Sequence, residues 1–138
     1  MSTLLKPSVS TSDKILIRHW KNAWNLKAPM RGLILLVHGI GEHSNRYDEI
    51  ANFLTQWGFD VLSLDLPGHG LSARKGGFLR FADFDEMVRE VKDVLRFWMT
   101  EGPDASQELR NKPVYLMGHS MGALTSLYWL CSQNPSEE

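Results

Sequence analysis

The pentapeptide Gly118-His119-Ser120-Met121-Gly122 directly follows the apolar run Val114–Met117 and directly precedes a stretch with apolar residues at helical spacing. G-x-S-x-G between a strand and a helix is the setting of a nucleophile elbow. The constraint is steric: a serine on so tight a turn takes an unfavourable backbone conformation, and glycines must flank it where side chains would collide. Such a turn dictates a strand, a turn and a helix in immediate succession. It also places the Ser120 hydroxyl at the end of the strand, above a helix N-terminus.

Periodicity upstream predicts more units of the same kind. Lys14–Trp20 alternates, with Ile15, Ile17 and His19 on one face, as in a half-exposed strand. A short strand is expected around Ala23–Leu26, and Pro29–Gly32 is turn chemistry. Leu33–Val37 shows no alternation, which fits a strand covered on both faces. Tyr47, Ile50, Ala51, Leu54 and Trp57 mark a helix over Glu42–Trp57 that stops at Gly58, and Phe59–Leu64 reads as the next strand. Phe84–Met99 reads as an amphipathic helix capped by Asp83, with Asp85 and Glu86 in its first turn and its charged residues facing solvent. Gly102–Lys112 is expected to be a surface connection. The last helix should run from the elbow to about Ser132.

Strands alternating with helices indicate an α/β fold, a mostly parallel sheet flanked by helices. One domain is expected over residues 14–138, after a flexible lead-in, rich in Ser, Thr and Pro, over residues 1–13. Reactive groups in such sheets collect at the carboxyl ends of the strands. Three segments converge there: His38-Gly39-Ile40-Gly41, Asp65–Gly70 and the elbow.

Composition narrows the functional classes. A net charge of −1 with both signs dispersed leaves no electrostatic footprint for nucleic acid. No Cys or His spacing suggests a metal site, and no glycine-rich phosphate loop suggests a nucleotide, so no cofactor is expected. The single cysteine, Cys131, shares a helix face with Leu124, Leu127 and Tyr128 and reads as a small buried side chain. Apolar runs such as Leu33–Val37 are far shorter than the ~20 residues that span a bilayer, and the first residues lack a signal-peptide core. A cytoplasmic location is the default expectation.

Together, His38–Tyr47 (HGIGEHSNRY), Asp65–Ser72 (DLPGHGLS) and Gly118–Gly122 (GHSMG) resemble the monoacylglycerol lipase and lysophospholipase branch of the α/β-hydrolases. That branch is also grouped with the S33-type serine aminopeptidases. The resemblance runs from about Asp13 to Pro135 and covers the N-terminal half of the family's domain, so it implies an α/β-hydrolase fold truncated after the elbow helix. It implies Ser120 as the nucleophile and the backbone N–H groups of Ile40 and Met121 as an oxyanion hole. His38, Gly39, Gly41, Gly118 and Gly122 support them. The implied substrate is a carboxylic ester, a monoacylglycerol or lysophospholipid.

A catalytic serine needs a histidine base and a carboxylate to orient it, and in α/β-hydrolases these follow the serine. After Ser120 the chain has no histidine and no aspartate, only Glu137 and Glu138. His38 reads as a structural loop histidine, His119 as a packing or hydrogen-bonding residue, and Asp65 as a loop organiser. His43 and His69, on the same sheet edge, would reach Ser120 only fortuitously. The alternative function is a non-catalytic truncated isoform or pseudoenzyme that binds acyl ligands or a protein. With the elbow strand unpaired on one side, self-association through an apolar sheet edge is expected. A full-length lipid hydrolase would also touch membranes peripherally.

Overall fold

A computed structural model of the chain describes residues 1–9, 14–22, 30–73, 83–105 and 107–132. Among the described residues, five strands form one mixed sheet: β1 (Ser2–Pro7), β2 (Lys14–Trp20), β3 (Gly32–Val37), β4 (Phe59–Leu64) and β5 (Val114–Gly118), in the order β1-β2-β4-β3-β5. β4, β3 and β5 run parallel, while β1 and β2 add antiparallel pairs at one side. The helices are α1 (Asp48–Thr55), α2 (Phe84–Thr100), the single-turn α3 (Gln107–Arg110) and α4 (Met121–Cys131). The sheet lies between helical layers, the α/β arrangement expected from alternating strands and helices.

β3 explains how an unbroken apolar run serves such a sheet. Leu33, Leu35 and Val37 pack with Ile15, Ile17, Leu62 and Leu64 against Met87, Val91, Val94 and Trp98 of α2. Ile34 and Leu36 point the other way, toward Trp20, Val61 and Ala51 of α1. The period of two is present, but both faces are apolar because both are covered. Asp83 caps α2 by accepting the Glu86 N–H at 2.6 Å, an interaction typically worth ~1 kcal/mol.

Several expectations are corrected. Residues 2–7, expected within a flexible lead-in, form β1, in register with β2 from Ser2↔His19 to Pro7↔Lys14. Side chains hold it to α2: Lys6 pairs with Asp93, and the Ser8 hydroxyl donates to Glu90. Glu90 and Asp93, reached from this segment, are buried rather than solvated, and Glu86 of the same helix is buried too. β2 is largely buried: Trp20, on the face expected at solvent, packs with Ile34, Leu36, Val61 and Ala51 of α1, and at the strand edge the Ser72 hydroxyl accepts the Leu16 N–H at 2.9 Å. The helix expected over 42–57 begins as a 3-10 turn at Ser44–Tyr47 and ends at Thr55, leaving Ile50 and Trp57 exposed.

Two further corrections concern the C-terminal part. The connection Gly102–Lys112 contains α3, which places Leu109 in the core. Cys131 is exposed, as are Leu124, Leu127 and Tyr128 on the same helix face, which the start of α2 borders only at Tyr128, through Phe84 and Asp85. The strand expected at 23–26 lies outside the described residues.

Candidate active site

Ser120 has φ 51° and ψ −118°, the only positive φ outside glycine among the described residues. A side chain in that region costs roughly 1–3 kcal/mol, so the surroundings must enforce it. They do so by close approach. A Cβ on Gly122 would lie 2.1 Å from the Val37 carbonyl oxygen, and one on Gly118 would lie 2.5 Å from the Ala123 nitrogen. Only glycine lets β5, the turn and α4 fit together there.

Backbone bonds fix the turn from both sides. His119 N–H donates to the Val37 carbonyl at 3.1 Å, carrying the β3–β5 pairing past the strand end. The Ser120 carbonyl accepts from Ala123 at 3.0 Å and Leu124 at 3.1 Å, opening α4. Met121 is the first residue of α4, where N–H groups lack partners within the helix and its dipole favours negative charge. Ser120 itself is exposed.

The loop after β3 meets this elbow directly. Glu42 N–H donates to the Gly39 carbonyl at 3.3 Å, closing a turn whose third residue, Gly41, has φ 70°. Open space surrounds Gly41, so its conformation is what calls for glycine. The bond closing the turn does not use the Ile40 N–H. At Gly39 the constraint is contact, since a Cβ there would lie 3.1 Å from His119 Nδ1 and 3.3 Å from the His119 carbonyl. The loop holding Ile40 thus packs on the residue before Ser120.

His38 is fully buried and braces two loops. Its Nε2 accepts the Leu66 N–H at 2.9 Å, so the proton sits on Nδ1, which donates to the Gly39 carbonyl at 2.7 Å. Both ring nitrogens are occupied, and burial holds the imidazole below the ordinary histidine pKa. Asp65, also fully buried, accepts from the Ser44 N–H at 2.8 Å, the Ser44 hydroxyl at 2.5 Å and the Leu71 N–H at 2.8 Å. Its carboxylate therefore organises the loops and is not aimed at a histidine. His69 donates from Nδ1 to the Pro67 carbonyl at 2.9 Å, beside the His38 ring.

Glu42 is the residue that motif reading passed over. Its Oε2 accepts the Gly39 N–H at 3.0 Å and the Tyr47 hydroxyl at 2.5 Å and lies 3.2 Å from His119 Nδ1, while Oε1 lies 3.2 Å from Arg46 Nε. The Tyr47 hydrogen bond contributes most to lowering the Glu42 pKa to about 2; burial opposes it, and Gly39, His119 and Arg46 add to it. Burial and the same carboxylate push the Tyr47 hydroxyl up to about 12. Among the described residues, no three His, Cys, Asp or Glu side chains are grouped to hold a metal ion. None of the described helices is long and apolar enough to cross a membrane.

The family model of the serine aminopeptidase, S33, matches residues 28–137. The chain belongs to the S33 family. It is 37% identical over 125 residues to a monoglyceride lipase homolog of monkeypox virus, a match covering 91% of this chain and 40% of the relative. It is 32% identical over 113 residues to the phospholipase YtpA of Bacillus subtilis (strain 168), covering 81% of this chain and 39% of the relative. The S33 chain thus spans about two-fifths of the length of these curated relatives. A crystal structure of a monoglyceride lipase from Saccharomyces cerevisiae superposes with a TM-score of 0.78 at 20% identity, over 97% of this chain and 41% of that one.

Within this S33 chain, the structure brings the Gly39–Glu42 turn, His119 and Ser120 to one place, the carboxyl ends of β3 and β5. Among the described residues it brings no histidine into hydrogen-bonding distance of the Ser120 hydroxyl. A local signal for Glu42 did exist, since a carboxylate three residues after Gly39 and four before Arg46 can reach back to the turn amide and forward to the guanidinium. Its contact with His119, 77 residues away, had none.

Proposed function

We propose that this chain carries the nucleophile and oxyanion donors of a serine hydrolase acting on carboxylic esters, with a monoacylglycerol or lysophospholipid as substrate. Ser120 Oγ attacks the acyl carbonyl carbon while its proton passes to a histidine base supplied from outside this chain. The Ile40 and Met121 N–H groups hold the resulting oxyanion; losing one such donor typically costs ~3 kcal/mol of transition-state stabilisation. Collapse of the tetrahedral intermediate expels the alcohol, which takes up the proton. Water then cleaves the acyl-serine and frees the fatty acid. Gly39 and Gly41 give the loop its bend, and Gly118 and Gly122 give the elbow its clearance.

One observation carries the reading: Ser120 is held at positive φ beside a turn whose Gly39 packs on His119. Strain enforced by neighbours on both sides is typical of sites where geometry serves function. The monoglyceride lipase homolog and the phospholipase among the relatives support the substrate class. A lipid ester would bring the full-length form to membrane surfaces as a peripheral protein of the cytoplasm.

A fluorophosphonate probe and a short-chain ester test it. An unactivated serine is a poor nucleophile, so this chain alone should label and turn over barely above Ser120→Ala. A chain extended to the length of the relatives, with an aspartate and a histidine after Ser120, should gain both activities. Silence of that longer chain would refute the hydrolase reading.

A second reading is a non-catalytic form that self-associates or binds acyl ligands. It is favoured by the exposed edge of β5, where Tyr115 and Met117 face solvent beside the apolar face of α4. Size-exclusion chromatography with light scattering should then show dimers or larger species that dissociate in Tyr115→Lys. A stable monomer at high concentration counts against it.

A further inference from the structure

We propose that Glu42 is a positioning residue whose carboxylate clamps the Gly39–Ile40 turn to His119 and thereby fixes the oxyanion donors relative to Ser120. The inference rests on the hydrolase reading and adds to it a residue that neither attacks nor donates to the oxyanion. Three elements converge on the carboxylate. From the turn comes the Gly39 N–H, from the elbow His119 Nδ1, and from the 3-10 turn before α1 the Tyr47 hydroxyl and the Arg46 guanidinium.

The donors differ in what they contribute. Gly39 is buried, so its N–H would lose both water and partner if the carboxylate were removed. Tyr47 packs its ring against the Trp20, Ile34, Leu36, Ala51 and Val61 cluster, which ties the carboxylate to the rigid core. Arg46 is largely exposed and supplies charge more than position. His119 joins the carboxylate to the elbow. Its backbone is fixed by the Val37 carbonyl, and its ring, tilted against Tyr47, reaches Glu42 from the elbow side. Loosening the clamp lets the turn shift relative to Ser120, and a misplacement of ~1 Å at such a site costs up to about 100-fold in rate.

Amide hydrogen exchange and the His119 ring signals, followed by NMR on the whole chain, test the clamp without needing turnover. In Glu42→Ala, Gly39 amide exchange should accelerate at least about tenfold and the His119 ring signals should move, because the buried Gly39 N–H loses its acceptor. Glu42→Gln keeps an acceptor oxygen, so Gly39 protection should be largely rescued. In the wild type the Gly39 amide shift should titrate with a midpoint at about 2, and that titration should vanish in Glu42→Gln. Glu49→Ala, on exposed helix surface, should change none of these.

Wild-type Gly39 exchange and His119 signals in Glu42→Ala would overturn the proposal. Should Glu42→Ala fail to fold, Tyr47→Phe and Glu42→Gln address the same atoms with smaller changes, and both must alter the His119 signals. Fluorophosphonate labelling of the lengthened chain separates this proposal from the reading beneath it. If Ser120 labels, Glu42→Ala should slow it about tenfold or more, with Glu42→Gln between. If Ser120 never labels, the hydrolase reading falls while the exchange data still decide the clamp.

Discussion

β3 and β5 are neighbouring, parallel, apolar strands, paired from Leu33↔Val114 to Val37↔Gly118, yet they live in different environments. Every residue of β3 is buried, between β4 and β5 and under helices on both faces. In β5, Val114, Tyr115, Met117 and Gly118 are exposed and only Leu116 is partly covered. Apolar content alone therefore does not set burial; the number of covering neighbours does. What the strands share lies at their carboxyl ends. Gly122 on the Val37 carbonyl and His119 N–H bonded to it lock the two together where the candidate site begins.

The largest effect should follow from cutting equal volume out of each strand. Leu35, fully buried, should cost about 2–5 kcal/mol when replaced by alanine, since a cavity forms in a layer that cannot collapse. Met117→Ala, on the exposed strand, should cost about 1 kcal/mol or less. Urea denaturation of both variants gives the comparison directly. Equal losses would mean that β5 is covered in solution, as self-association through its edge would cause.

The contrast also bears on how much the sequence disclosed. Phe59–Leu64, the β3 run and the Asp83 cap of α2 were legible because local pattern and tertiary burial agree there. β1 was not legible. Ser2-Thr3-Leu4-Leu5-Lys6-Pro7 has little apolar signal, and pairing with β2 and the Lys6–Asp93 contact with α2 hold it. The acidic residues of α2 looked solvated for the same reason, their cover being remote in sequence. In the site, residue types announced the collisions at Gly118 and Gly122. Glu42 stayed hidden because its meaning lies in a contact across the molecule.

Acid should act next most strongly, and at the end of β3 rather than β5. His38, directly after β3, is buried with its pKa lowered from 6.5, so on acidification the unfolded chain binds a proton before the folded one. Stability is full above the unfolded value and falls as pH drops below about 6.5, with a slope of at most ~1.4 kcal/mol per pH unit for one group. Glu42 obeys the same sign: its contribution is present above 4.5 and is lost as pH falls toward about 2. Urea midpoints between pH 7.5 and 3 should show the first loss diminished in His38→Gln and the second in Glu42→Gln. A flat profile through pH 6 would mean that His38 is not held neutral between Leu66 and Gly39.

The smallest effect should come from the end of β5, with the opposite sign. Ser120 sits where glycine would rest without strain, so Ser120→Gly should stabilise the fold by about 1 kcal/mol, the strain released less the added freedom of the unfolded glycine. For a chain of this size that is a rise of roughly 3–5 °C in Tm. Ser126→Gly, in the interior of α4, gives up helix propensity and the buried bond its hydroxyl donates to the Gly122 carbonyl, and should destabilise by about 1 kcal/mol instead. Opposite signs for the same chemical change, six positions apart, would tie the strain to the elbow. Were Ser120→Gly to destabilise as Ser126→Gly does, the serine would not be under strain, and the steric case for a nucleophile elbow would lose its support.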